Sequence, residues 1–152
     1  MTDVRLERDK AGWLWRLLAA ASVLWLLWMK QLPQEVVVAD LALLTESAAA
    51  RGIPSHSLIS IAGKVAVFVP LGLAVTRSLA LGRGLAPLAA LVGGAAFGAL
   101  VSACLEVLQM LSPGRFPDWR DLALNTLGAL VGAIVAVLIG CFRRRESEGR
   151  VS

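Results

Sequence analysis

The chain has no tyrosine, one histidine (His56) and only two cysteines, Cys104 and Cys141, among 152 residues. A lone histidine and two distant cysteines cannot supply the ligand set of a metal, so neither a metal nor any other cofactor is expected. The cysteines fall in different apolar runs, toward opposite ends of the expected bundle, which rules out a disulfide between them. No Walker pattern occurs, and Gly82-Arg83-Gly84 is too short for a phosphate loop, so there is no sign of coupling to ATP hydrolysis. Internal repeats are missing. The one compositional bias, toward alanine, leucine and glycine, is ordinary for packed membrane helices. Charge is scarce as well: charged residues make up 17% of the chain against 57% hydrophobic, and the mean hydropathy is +0.72. A soluble domain does not need so much apolar sequence.

What is present is four apolar runs, at about 13–29, 57–75, 85–111 and 122–142. Each approaches the roughly 20 residues a helix needs to cross about 30 Å of hydrocarbon. The expected fold is therefore all-α: a polytopic membrane protein with four transmembrane helices. With tyrosine absent, an interfacial aromatic belt falls to tryptophan, and Trp13, Trp15, Trp25 and Trp28 flank the first run. Arg16, just inside that run, can snorkel to the headgroups. The run is tryptophan-rich and no small-residue cleavage site follows it, so it is expected to stay attached as an anchor rather than leave as a signal peptide. Pro70, inside the second run, predicts a kink.

The net charge of +4 and pI near 9.8 would suggest nucleic acid for a soluble chain. Here the basic residues sit in short segments between apolar runs, so they report topology and no nucleic-acid partner is expected. Arg5, Arg8 and Lys10, the link with Arg77 and Arg83, and Arg143-Arg144-Arg145 must share one side if four helices cross. Basic residues accumulate on the cytoplasmic side, which places both termini in the cytoplasm and the protein in the inner membrane. Residues 1–12 and 143–152 are then cytoplasmic tails around a membrane domain at 13–142. Residues 36–50, apolar but carrying Asp40 and Glu46, are expected to form an outer interfacial helix.

Polar groups within the apolar runs cost roughly 2.5 to 3.5 kcal/mol each on insertion scales and so need a partner or a role. Ser57, Ser60 and Lys64 share one face of the second helix. On the third, Gly94, Gly98, Ser102 and Glu106 recur at four-residue steps, and Gln109 follows. The fourth opens with Asp121, then Asn125, Gly128 and Gly132 on one face, and Arg115 and Asp118 occupy the turn before it. At about 1.5 Å per residue, Lys64, Glu106 and Asn125 each lie roughly 6 to 11 Å from the outer ends of their helices. One reading is structural: Lys64 pairs with Glu106, Arg115 with Asp118 or Asp121, Asn125 and Gln109 bond between helices, and Gly94, Gly98, Gly128 and Gly132 permit close packing. The other is a headgroup site: Lys64 and Arg115 hold an anionic group, with Glu106 or Asp121 available as acid or base. His56, at the lead-in to the second helix, has a weaker claim to function.

The order Glu106-x-x-Gln109, Arg115-x-x-Asp118-x-x-Asp121-x-x-x-Asn125-x-x-Gly128-x-x-x-Gly132 resembles the signature of the VanZ-like family, as does Phe68-x-Pro70-x-Gly72. The resemblance runs from about Lys64 to Gly132. It implies a small polytopic membrane protein related to one associated with low-level resistance to the glycopeptide teicoplanin. Many relatives carry a polar Asn where this chain has Lys64, a departure that changes the charge of the site. The expected partners are the lipid bilayer and either a lipid-linked envelope precursor or a glycopeptide. An enzyme acting on a lipid-linked headgroup and an assembly subunit that docks through its small-residue faces are the rival expectations.

Overall fold

The computed structural model describes residues 2–31, 56–110 and 118–149, with side chains described for 10–29, 61–110 and 118–143. The segment expected to form an interfacial helix (36–50) and Arg115 lie outside the described residues, as do the side chains of His56, Ser57 and Ser60. The described residues contain four helices and no strand: α1 Thr2–Gln31, α2 His56–Gly82, α3 Pro87–Met110 and α4 Trp119–Gly149. All four are long and apolar enough to cross a membrane, over Lys10–Met29, Ile61–Gly82, Pro87–Met110 and Trp119–Arg143.

The helices outrun the apolar stretches that announce them. α1 has 30 residues and α4 has 31, which at 1.5 Å per residue is about 45 Å, well beyond the hydrocarbon thickness. Hydropathy marks the part of a helix that lipid covers, whereas backbone hydrogen bonding carries the helix into water. The polar residues before Trp13 and the basic ones after Phe142 accordingly continue α1 and α4. α2 likewise runs past Val75 to Gly82, so Arg77 is a helical residue and not part of a link. It also passes unbroken through Pro70.

The α2–α3 turn is set by backbone chemistry. Gly84 adopts a left-handed conformation (φ 63°), which is cheap only without a Cβ. The chain then reverses so that both Arg83 N–H and Leu85 N–H donate to the Leu79 carbonyl, at 3.2 and 3.3 Å. Pro87 opens α3 where a helix has no use for its N–H, and Ala90 N–H donates to Ala86 at 2.9 Å as the first helical bond.

α2 is the central helix. It packs most extensively on α4, then on α1 and α3, whereas α1 barely touches α3. The α2–α4 seam is made of missing side chains: a Cβ on Gly72 would strike the backbone of Ala129, one on Gly128 the carbonyl of Val65, and one on Gly132 the carbonyl of Val69. α3 joins by the same means, with Gly94 seating the Thr76 hydroxyl and Gly98 seating Ala129. Small residues let membrane helices approach closely when lipid provides no hydrophobic drive. Leu26, Phe68, Leu71 and Leu105 fill the core, and Trp13, Trp25, Trp28 and Trp119 stay exposed near the ends of the candidate membrane spans.

Candidate functional site

The antiparallel bundle brings the start of α2, the end of α3 and the start of α4 to one end. Lys64, one turn inside the α2 span, forms an ion pair with Asp121 Oδ1. The lysine side chain retains 40% of its exposure and the aspartate 19%. The ammonium therefore spends one of its three donors on the carboxylate and presents the rest at the surface. Asp121 stands in the first turn of α4, where the positive end of the helix dipole also favours a carboxylate. The expectation that Lys64 pairs with Glu106 is corrected here: both acids lie at the right depth, but only Asp121 projects from the helix that α2 packs against most closely.

Glu106 and Asp118 together define how α4 begins. Asp118 is the N-cap: its carbonyl accepts from Asp121 N–H at 3.0 Å and Leu122 N–H at 3.2 Å. Its own Oδ1 accepts from Arg120 N–H at 2.9 Å. Side-chain capping of this kind satisfies one of the orphan donors at a helix start. Glu106, only 6% exposed, accepts from the Asp118 N–H through Oε2 at 3.1 Å. In an ordinary capping box the third helical residue reaches back to that N–H. Here that residue is Asp121, committed to Lys64, and a glutamate from the preceding helix takes over the task.

One layer deeper, Asn125, 3% exposed, donates through Nδ2 to Ser102 Oγ at 2.9 Å, and Ser102 is fully buried. Gln109 is half-buried and makes no side-chain hydrogen bond among the described residues. No group of three His, Cys, Asp or Glu converges for a metal among the described residues. The described part of the site is thus a three-tier polar column: a surface ion pair, a carboxylate on a helix cap, and a buried amide–hydroxyl pair.

A family model described as VanZ/LLP1 matches residues 13–140. The chain belongs to the VanZ/LLP1 family. The match reaches far upstream of the motif-bearing stretch and takes in α1. No curated protein and no solved structure gives a match. The motif positions of this VanZ/LLP1 chain divide physically. Phe68, Gly72, Gly128 and Gly132 build the α2–α4 seam, and Glu106, Asp118, Asp121 and Asn125 build the polar column that the seam supports.

The sequence reading missed the role of Arg77, which it placed in a basic link. The structure buries Arg77 to 6% exposure, with its guanidinium 5.9 Å from the ring centroid of Trp15. The available signal was Thr76 and Arg77 following Gly72 and Leu73 with no helix breaker before Gly82.

Proposed function

We propose that this VanZ/LLP1 protein lies in the cytoplasmic membrane with both termini inside the cell, and that its polar column faces outward to bind an anionic group of a cell-envelope component. Lys64 supplies the cation. Asp121 orients it, Glu106 and Asp118 hold the start of α4 in place, Gln109 adds an amide three residues beyond Glu106, and Arg115 is proposed from the sequence as a second cation. The ligand is a lipid-linked envelope precursor or a glycopeptide such as teicoplanin, and the protein contributes to glycopeptide resistance through that contact.

The observation that carries this reading is the asymmetry of the ion pair. A half-exposed ammonium is held by a less exposed carboxylate, an arrangement that keeps a charge at the surface and fixes its direction. The orientation rests on the basic residues at the opposite end of the bundle. Binding is favoured over acid–base chemistry because Asp118 is occupied as a cap and Asp121 as the partner of Lys64. Binding is also favoured over docking to an assembly partner, because Gly94, Gly98, Gly128 and Gly132 are spent on contacts inside the bundle.

The test is binding of a polyprenyl phosphate to the purified protein, with the uncharged polyprenol as control. Preference for the phosphate that falls roughly tenfold in Lys64→Met, the loss of a charge-assisted contact, is expected. Equal binding of phosphate and alcohol would contradict the reading.

A further inference from the structure

A second cationic cluster lies at the other end of the bundle, where α1 starts and α2 and α4 leave the membrane. Arg77 stands five residues before Gly82, the end of its span, hence about 7 Å inside it. Its side chain is more than nine-tenths buried, and its Nε has no hydrogen-bond partner among the described residues. A Cβ on Gly140 would lie 3.1 Å from Arg77 Nη1, so the guanidinium reaches across to α4 over a bare patch of backbone. Arg143 follows one turn later on that face of α4, at the end of the α4 span. Trp15 closes the third side, from α1.

No described carboxylate pairs with either arginine. A guanidinium buried with an unpartnered Nε is costly unless an anion reaches it, because burial removes hydration and weakens screening. The contact with Trp15 offsets only part of that, about 0.5 to 2 kcal/mol for an arginine over an aromatic ring. The rigid fork of a guanidinium matches the oxygens of a phosphate, and the end of a transmembrane span is the depth at which lipid phosphates lie.

We infer that Arg77 and Arg143, walled by Trp15 and Gly140, form an anion site distinct from the Lys64 column, one that holds the phosphate of an anionic phospholipid. By the positive-inside rule this is a lipid of the cytoplasmic leaflet. The site anchors α1, which has few contacts other than with α2, to the rest of the bundle through a shared headgroup.

Native mass spectrometry of protein exchanged into micelles holding equal phosphatidylglycerol and phosphatidylcholine tests the site. Wild type is expected to retain phosphatidylglycerol preferentially. Arg77→Gln should reduce that preference about tenfold, and the exposed Arg143→Gln, which leaves the core untouched, about fivefold. Arg16→Gln serves as the control, because Arg16 lies at the same end but against Gly82; its retention should match wild type. Displacement of the lipid by inorganic phosphate would assign recognition to the phosphate alone. Resistance to displacement would add the lipid chains, and both results keep the site. Equal retention of the two lipids, or losses in Arg16→Gln as large as in Arg143→Gln, would overturn it.

Discussion

Two glycines on α2 give opposite forecasts for the same substitution. Nothing lies within 4 Å of a Cβ built on Gly63, whereas a Cβ on Gly72 would run into the carbonyl oxygen, carbon and Cα of Ala129. Alanine at either position raises intrinsic helix propensity by about 0.8 to 1 kcal/mol, so Gly63→Ala should stabilise the bundle by about 0.5 to 1 kcal/mol. At Gly72 the obstacle is backbone, which cannot rotate away as a side chain can, so α2 and α4 must separate. Overpacking of this kind costs about 1 to 3 kcal/mol. It should exceed the propensity gain and leave Gly72→Ala less stable than wild type by about 1 to 2 kcal/mol. Unfolding in mixed micelles with increasing SDS, followed by helical circular dichroism, separates the two. Stabilisation of similar size in both variants would refute the close α2–α4 crossing, and with it the placement of Lys64 against Asp121.

Three further outcomes test the polar column. A double-mutant cycle of Lys64→Met and Asp121→Asn should give a coupling of about 1 kcal/mol or less, because the lysine is 40% exposed and solvent screens it; additive effects would remove the pair. Asp118→Ala should cost about 1 kcal/mol as a lost cap, and Asp118→Ser should recover most of it; loss of function in a stable Asp118→Ser protein would give that carboxylate a chemical role instead. Asn125→Leu should cost about 1 to 3 kcal/mol by leaving the buried Ser102 hydroxyl without its donor, whereas a neutral result would mean that the Asn125–Ser102 bond does not hold α3 to α4.

The four spans were legible because a continuous apolar run has few alternatives to a helix across lipid. The glycine stripes were legible from their four-residue spacing, and their partners follow from which helices neighbour α2. Partner choice within the polar end was not. Depth along a helix can be counted from sequence, but rotation about its axis cannot, so depth alone paired Lys64 with Glu106 and left Asp121 to Arg115. A signal did exist: Phe68 and Gly72 continue the Lys64 stripe at four-residue steps, and Gly72 meets Ala129 of α4, which turns that whole face toward α4 and Asp121. Arg77 was missed for a different reason. A basic residue at the end of a run reads as a topology signal, and only packing shows that Trp15 and Gly140 enclose it.

The most direct test of the proposed outward polar site is teicoplanin susceptibility of a sensitive Gram-positive host that expresses wild type, Lys64→Met, Asp121→Asn or Glu106→Gln at matched membrane levels. Protection by wild type that is lost in the three variants is the expected result. Protection that survives all three substitutions would show that the Lys64–Asp121–Glu106 end of the bundle does not carry the function.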